Sequence, residues 1–475
     1  MIEMIDALRD LSIYVHIPFC KRKCNYCDFV SFGGCDISLQ KDYINALCKE
    51  IGAFSLIAEE YKVVTVFIGG GTPSYIPAEY IGKILEKIRE TFTVDDNCEI
   101  TIEGNPDSLT RDKLILYRKY GINRLSIGLQ SANDEMLNIL GRIHNYDQFV
   151  AAYSRAREVG FTNINVDVMS GLPGESLESY VKTLAKVVAM QPEHISSYSL
   201  IIEDGTPLSE NDELLELLPS EEDDRKQYMR TKLLLGQSGY ERYEISNYAK
   251  KGYECRHNLV YWTGGEYLGV GLSAASYMKI KEYDIERVYN YANDYDVQKV
   301  YDDENEYDIQ RVYDDENGYD IQRVNNDKNG YNAERIYNEE KDYDMDNYEG
   351  ANNYTWCRFR GVDDINEYIG RYIKYGSGYF ETENIKQLIA DHYKDIEVLS
   401  KKDMIEEFMF LGLRLMSGIS IEQFQKRFNV SIDDIYGKVI SKYVGLGCVI
   451  KEGDRLRLSN RGIDVSNSIF ADFML

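Results

Sequence analysis

Short apolar runs alternate with longer amphipathic segments over the first half of the chain. Between the runs, segments with apolar residues three or four positions apart, such as residues 78–92, predict helices. This alternation predicts an α/β fold with a parallel sheet and crossover helices, either barrel-like or open and doubly wound. In both forms, functional side chains lie at the carboxyl ends of the strands. The runs that predict strands begin at Ser12, Val63, Cys98, Asn123, Asn163 and His194.

The last quarter of the chain follows a different pattern. Segments beginning at Glu406, Ile419 and Asp433 predict helices, and the run from Cys448 to Ser459 predicts a hairpin. This order is similar to a winged-helix module. Residues 403–475 contain 10 acidic and 9 basic side chains, so they carry no excess positive charge that would attract DNA. This balance favours a role in packing or as a lid.

Between these parts, residues 282–353 form six consecutive units of 12 residues that are rich in Tyr and acidic side chains. They contain 22 acidic and 7 basic side chains and so account for 15 of the 26 excess negative charges. Stacked copies would repel, and the apolar positions follow neither a helical nor a strand period. The repeat therefore predicts a disordered, solvated insertion, with ion binding or protein docking as alternatives. The predicted domains are residues 1–281, 282–353 and 354–475.

The composition excludes several classes of protein. A chain of 475 residues, 44% of them hydrophobic, has material for a large buried core. The net charge of −26 disfavours nucleic-acid partners, and no apolar run predicts a membrane span, which leaves at most a peripheral membrane contact. Nine cysteines at irregular spacing argue against a disulfide framework. We therefore expect a cytoplasmic protein with reduced thiols or metal ligands.

Three of the cysteines form the most informative motif. Cys20, Cys24 and Cys27 follow the first predicted strand at CxxxCxxC spacing, and the basic residues 21–23 between them favour thiolates. Three thiolates on one loop can converge on one metal centre and leave one position open. A structural zinc site would recruit a fourth ligand, and no second CxxC or HxxxH follows in the sequence.

A run of glycines ends the second predicted strand, at Gly69, Gly70 and Gly71. Glycine lets the backbone approach a ligand closely, so that free N–H and C=O groups can pair with its polar atoms. The CxxxCxxC loop followed by this run resembles the radical S-adenosylmethionine (SAM) proteins. The resemblance implies a partial (β/α)6 barrel similar to a TIM barrel, with a [4Fe-4S] cluster on the three cysteines and SAM on the remaining iron. An electron donor would be needed if SAM is cleaved to a 5′-deoxyadenosyl radical.

Four further motifs occur in an order that resembles the coproporphyrinogen-oxidase-like branch of this family. They read IEGNP from Ile102, SIGLQS from Ser126, LGRIH from Leu140 and NVDVMSGLPG from Asn165. Carboxylates suit the ribose hydroxyls or the sulfonium charge of SAM, and arginine suits a carboxylate. The resemblance also implies that some of these positions line a second SAM or a substrate site. The implied SAM-binding residues are Tyr14, Tyr26, Gly71, Thr72, Pro73, Glu103, Gln130, Arg142 and Asp167.

Two members of this branch differ near the third cysteine. The oxygen-independent coproporphyrinogen III oxidase has a further cysteine two positions later and a longer segment before the cluster. Here that position is Phe29, and 19 residues precede Cys20. Both features resemble the HemW heme-chaperone group instead, whose motif reads CxxxCxxCDF.

A second segment supports the same group. The residues His257, Asn258, Tyr261 and Trp262 resemble its HNxxYW signature, which implies heme as a ligand and His257 as a candidate iron ligand. A histidine that only makes hydrogen bonds in a packed aromatic corner is the alternative. The group usually has a further His shortly afterwards, whereas residues 271–276 read GLSAAS.

These features favour a heme chaperone that holds a [4Fe-4S] cluster and SAM, binds heme and transfers it to an acceptor protein. An enzyme that decarboxylates the propionates of coproporphyrinogen III by radical chemistry is the first alternative. A protein-docking module with a relic cluster is the second.

Overall fold

The computed structural model describes residues 8–281, 354–373 and 385–475, and the predicted repeat insertion lies outside these residues. The strands are β1 (Arg9–Ile17), β2 (Phe19–Cys20), β3 (Phe32–Gly33), β4 (Tyr61–Gly70), β5 (Thr93–Gly104), β6 (Arg124–Gln130), β7 (Ile164–Ser170), β8 (His194–Ser199), β9 (Glu241–Arg242), β10 (Asn247–Ala249), β11 (Tyr267–Val270), β12 (Ala275–Lys281), β13 (Tyr354–Gly361), β14 (Tyr393–Val398), β15 (Ile419–Ser420), β16 (Val449–Glu452) and β17 (Arg455–Leu458).

The helices are α1 (Ile37–Ala53), α2 (Ala78–Thr91), α3 (Arg111–Lys119), α4 (Asp134–Ile139), α5 (Tyr146–Glu158), α6 (Leu177–Ala189), α7 (Asp212–Leu215), α8 (Glu221–Gln237), α9 (Arg256–Thr263), α10 (Ile365–Ile373), α11 (Ile385–His392), α12 (Lys401–Gly412), α13 (Ile421–Phe428), α14 (Ile432–Gly445), α15 (Asn460–Asp464) and α16 (Ser466–Asp472). Short 3-10 helices lie at Phe54–Leu56, Ala58–Glu60 and Pro73–Tyr75.

One sheet of twelve strands organises most of the described chain. Its order is β14-β13-β12-β11-β1-β4-β5-β6-β7-β8-β10-β9, and the seven strands from β11 to β8 in this order are parallel. Antiparallel strands extend both edges. In the described residues β14 and β9 end opposite edges, so the sheet is open rather than a closed barrel. The predicted α/β fold is confirmed, and the six predicted strands are β1 and β4 to β8.

Burial explains why the central strands carry continuous apolar runs. In β6, the six residues from Arg124 to Leu129 are all buried, as expected for a parallel strand covered on both faces. The helices instead bury one face each: in α2, Ile81, Ile84, Leu85 and Ile88 lie three or four positions apart and pack into the core. The period of the apolar residues therefore decides which segments become strands and which become helices.

The C-terminal residues form a second, smaller core. Helices α12, α13 and α14 pack with a three-stranded sheet of order β15-β17-β16, and buried aromatic side chains such as Phe424, Phe428 and Tyr436 fill the space between them. The predicted hairpin is present as β16 and β17. Three helices followed by this hairpin agree with the winged-helix-like order that the sequence predicts.

Two described segments, residues 354–373 and 385–398, extend the main core, whereas the predicted division assigned them to the C-terminal domain. Strand β13 pairs with β12 from Tyr354 to Arg360, and β14 pairs with β13, so both belong to the main sheet. Glu50 of α1 anchors this extension because it accepts hydrogen bonds from the hydroxyls of Tyr368 and Tyr393. The winged-helix-like module is thereby confined to the residues after β14.

Among the described residues, none of the helices has the length and apolar character needed to cross a bilayer.

Candidate functional site

The three cysteines of the CxxxCxxC motif line one cavity of about 340 Å³. Cys20 ends β2, and the pairing of β2 with β3 closes the base of the loop that carries Cys24 and Cys27. Asn25 holds the far end of the loop, since its backbone N–H donates to the Leu140 carbonyl at 3.0 Å and its side-chain amide donates to the Ile139 carbonyl at 2.9 Å. The loop is therefore held by the β2–β3 pairing at its base and by the C-terminal end of α4 at Asn25.

Polar groups next to the thiols can stabilise negative charge on sulfur. The Thr72 hydroxyl lies 3.5 Å from the Sγ of Cys20, and the Arg142 guanidinium lies 3.5 Å from the Sγ of Cys24. Burial raises the pKa of Cys20 and of Cys27, while a hydrogen bond from Thr72 opposes the shift at Cys20. All nine cysteines are unpaired, so these thiols are available as ligands.

The three thiols are a donor set that suits an iron–sulfur cluster. They line one shared cavity, and all three are free of disulfide bonds. Cysteine thiolates are the usual ligands of a [4Fe-4S] cluster, and each binds a different iron atom. Cys20, Cys24 and Cys27 thus fit the cluster that the resemblance implies. In the described parts of the chain, no group of three or more His, Cys, Asp or Glu side chains is placed to hold a single metal ion.

The backbone of Gly70 and Gly71 lies beside the cysteines without side chains, and we call this stretch the glycine shelf. Gly70 has φ +110°, and a Cβ there would lie 2.6 Å from the His16 ring. A Cβ on Gly71 would lie 3.0 Å from the Sγ of Cys20 and from the Phe19 backbone. No side chain larger than hydrogen fits at either position without displacing its neighbours, which explains the local sequence.

Two partly buried carboxylates face the cavity from β5 and β7, on either side of β6. Glu103 at the end of β5 accepts a hydrogen bond from the Gly70 N–H at 3.2 Å, and Asp167 of β7 accepts from Asn165 at 2.7 Å and Ser126 at 3.1 Å. Burial, together with the negative charge of Asp167, raises the pKa of Glu103 to about 8. Two acids at this depth favour a ligand that brings positive charge or hydroxyl donors.

Arg142 spans the space between the cysteine loop and the strand ends. Besides Cys24, its guanidinium donates to the Asn105 side chain at 2.6 Å and to the Gly128 carbonyl at 2.8 Å. Gln130 is another polar residue at this edge, and its φ of +70° coincides with a register irregularity in β6. This strained backbone places Gln130 among the residues that line the cavity.

The structure brings most of the predicted SAM-binding residues together. Tyr26, Gly71, Thr72, Glu103, Gln130, Arg142 and Asp167 line the same cavity as the three cysteines. Tyr14 lines a neighbouring cavity that shares Tyr26, Cys27 and Phe29 with the first, and Pro73 is buried just behind Thr72. Asn105, Ser126, Met169 and Tyr198 also line the first cavity but were not among the predicted site residues. Asn105, Ser126 and Met169 lie inside the IEGNP, SIGLQS and NVDVMSGLPG motifs, so a signal was present.

His257 lies apart from this cavity, in the core. It is 1% exposed; its Nδ1 is 2.8 Å from the Thr65 hydroxyl and its Nε2 is 3.0 Å from the Tyr261 hydroxyl. Its ring stacks on Phe67 at a centroid distance of 5.3 Å. Because both ring nitrogens are engaged inside the protein, His257 is not available as a heme ligand in this conformation. The packed aromatic corner is the arrangement seen here.

Two protein-family models match the chain, one in the main core and one in the C-terminal core. Residues 14–187 match the Radical SAM superfamily, and residues 399–465 match the HemN C-terminal domain. Among solved structures, the chain is similar to coproporphyrinogen III oxidase (HemN) from Escherichia coli, described as a radical SAM enzyme. The TM-score is 0.70 at 21% identity, and the match covers 98% of this chain and 90% of that chain. This likeness shows the fold.

The relatives found by sequence point to a narrower family than the shared fold does. The chain is 39% identical over 268 residues to the heme chaperone HemW of Buchnera aphidicola, which covers 56% of this chain and 70% of that protein. It is 28% identical over 470 residues to the heme chaperone HemW of Bacillus subtilis, which covers 98% of this chain and 99% of that protein.

Proposed function

The chain belongs to the HemW heme chaperone family, and on this basis we propose that it binds heme and transfers it to an acceptor protein while holding a [4Fe-4S] cluster and SAM. The cluster would be held by Cys20, Cys24 and Cys27, and SAM would occupy the rest of their cavity.

The observation that carries the cofactor part of this proposal is the convergence of three groups on one cavity. These groups are the cysteine thiols, the glycine shelf at Gly70 and Gly71, and the carboxylates of Glu103 and Asp167. The shelf leaves backbone close to the ligand, and the carboxylates can accept from ribose hydroxyls or offset the sulfonium charge. The charge balance of the cavity thus suits SAM.

The residues of the chain have separate tasks in this proposal. When bound, the cluster would supply an electron to SAM if SAM is cleaved, and an electron donor would then be a partner. Arg142 keeps a positive charge beside Cys24, and Glu103 holds the glycine run at the end of its strand by accepting a hydrogen bond from the Gly70 N–H. Tyr14 is held by its hydroxyl, 3.0 Å from the Nδ1 of His16, at the border of the neighbouring cavity.

Phe29 supports the chaperone over the oxidase. The oxidase carries a cysteine at this position, whereas the Phe29 ring here is 65% exposed and lines both cavities near the cysteine loop. An exposed aromatic ring can contact an apolar ligand or a partner but cannot ligate iron.

We further propose that the protein acts in the cytoplasm, where its nine unpaired thiols would stay reduced. Its partners would be heme and an acceptor protein, with nucleic acid excluded by the net charge of −26 and membrane contact at most peripheral. The repeat at residues 282–353 is proposed to be a solvated insertion without a part in these steps.

Anaerobic reconstitution tests the proposal. We expect about four iron atoms per chain, a paramagnetic resonance signal of the reduced cluster that changes when SAM is added, and one bound hemin seen by its Soret absorption. Cys24→Ala should lose the cluster. Cys35→Ala is the matched control, because Cys35 is also partly exposed but does not line the cavity.

Transfer of bound heme to an apo-acceptor, with coproporphyrinogen III left unchanged, would support the chaperone. Formation of protoporphyrinogen by the reconstituted protein would instead establish the oxidase. Loss of the cluster with unchanged heme transfer in Cys24→Ala would favour a docking module whose cluster is a relic.

A further inference from the structure

A third cavity, of about 470 Å³, lies between the main sheet and the C-terminal module. One wall comes from α8 and β9, and the other comes from β16, β17 and α15. The two walls touch, because the Met416 backbone N–H donates to the Tyr243 carbonyl at 3.0 Å, and Arg225 forms an ion pair of 2.6 Å with Asp464. We call this space the basic cavity.

The charge of the basic cavity is unusual for so acidic a chain. Four cationic side chains line it and no carboxylate does. By contrast, the cysteine cavity contains two cations and two acids, and the neighbouring cavity contains Asp28 and Glu203 without a cation. The four lining cations are Lys232, Arg242, Arg457 and Arg461.

Few carboxylates contact these four cations. Within the described residues, Lys232 donates to the Asn460 side chain, Arg242 to the Tyr228 hydroxyl, and Arg461 to the Leu446 carbonyl at 3.1 Å, all of them neutral acceptors. Arg457 has one carboxylate contact, 3.4 Å from the exposed Glu452.

Like charges also meet within the cavity. Burial and the nearby positive charge of Arg242 lower the pKa of Lys232. An anion in the cavity would relieve this repulsion and gain charge-assisted hydrogen bonds.

The remaining lining is apolar. Leu458 and Ile463 are buried, and Met416 and Ile450 are partly exposed at the same surface. A ligand that suits this lining has anionic groups at one edge and an apolar body. The volume lies within the range of about 300–1,000 Å³ that is usual for small-molecule sites.

Heme has this chemistry, since two propionates extend from one edge of an apolar macrocycle. We propose that the basic cavity binds the propionate edge of heme, with Lys232 and Arg242 on one wall and Arg457 and Arg461 on the other. This inference rests on the proposed function and gives the heme a site separate from the cluster and from His257.

Hemin titration of the full-length reconstituted protein tests the site. The test variant is Lys232→Gln with Arg461→Gln, which removes one cation from each wall. The control is Lys226→Gln with Arg455→Gln, which removes two cations from the same helix and the same module but from outside the cavity. Because the test variant loses two charge-assisted hydrogen bonds, we expect a Kd at least tenfold higher in it. The control should stay within about twofold.

Hemin dimethyl ester, which lacks the carboxylates, provides the second arm. Wild type should bind the ester at least tenfold more weakly than hemin, and the test variant, which keeps Arg242 and Arg457, should discriminate less between the two. Equal hemin affinity of wild type and test variant, or equal loss in test and control variants, would overturn this site. If wild type binds no hemin, the proposed function itself fails.

Discussion

The Arg142 guanidinium lies 3.5 Å from the Sγ of Cys24 and is held there by Asn105 and the Gly128 carbonyl. A fixed positive charge beside a cluster ligand stabilises the reduced, more negative cluster. The same guanidinium joins the cysteine loop to the ends of two parallel strands.

Replacing Arg142 by Gln should therefore lower the reduction potential of the reconstituted cluster. We expect a shift of tens of millivolts, since about 1.4 kcal/mol corresponds to 59 mV for a one-electron couple. Redox titration followed by paramagnetic resonance measures it. Arg142→Lys keeps the charge and should shift the potential less; equal potentials in all three proteins would contradict this role.

Gly70→Ala should destabilise the protein and weaken SAM binding. Alanine at positive φ costs roughly 1–2 kcal/mol, and here its Cβ would also lie 2.6 Å from the His16 ring. Gly174→Ala is the matched control because Gly174 also has positive φ, at +72°, but has open space around its missing Cβ. Urea unfolding and SAM titration of both variants separate the cost of alanine at positive φ from the cost of contact between its Cβ and the His16 ring. Equal effects in both variants would show that the His16 ring moves aside without cost.

The unfolding free energy should depend on the protonation of Glu103. Burial and Asp167 raise its pKa from 4.5 to about 8, so the folded protein keeps a proton that the unfolded chain releases. This contribution to stability is complete below about pH 4.5 and is lost as the pH rises through about 8. In protein without SAM, wild type should lose at least about 1.4 kcal/mol more than Glu103→Gln over this interval. Urea unfolding at several pH values gives the pH dependence of the unfolding free energy for both proteins. The same dependence in both would refute the raised pKa of Glu103.

His257→Ala should lower stability and leave hemin affinity unchanged. Burial lowers the pKa of His257 to about 3, and the neutral ring bonds Thr65 and Tyr261 within the core. Loss of both bonds and of the ring volume should cost about 2–4 kcal/mol. The control Asn258→Ala, at the next and more exposed position, should cost little. A protein that loses hemin binding but keeps its melting temperature would restore His257 as a ligand.

Local patterns made much of the fold predictable. Six of the seven parallel strands follow from apolar runs of strand length, and Cys20, Cys24 and Cys27 follow from their spacing on one loop. Strands β13 and β14 were missed because β13 pairs with β12 across the repeat, a contact that no local period reveals. The inward orientation of His257 was likewise hidden, since its motif does not say which face of α9 meets the sheet.

The basic cavity could not be predicted from the sequence at all. Its cations lie on α8, β9, β17 and α15, which only the packing of the C-terminal module brings together. Residues 403–475 are nearly neutral as a whole, so their average charge conceals a strongly basic wall.

Lys281, the last residue of β12, pairs with Tyr354, the first residue of β13. The six repeat units therefore leave and rejoin the sheet at one point, like the tip of a hairpin. Doubling the length of such a connection costs only about 0.6 kcal/mol in closure entropy. Adding units to the repeat or removing them should therefore change the unfolding free energy of the described sheet by only a few tenths of a kcal/mol, about 0.6 kcal/mol at most for a doubling.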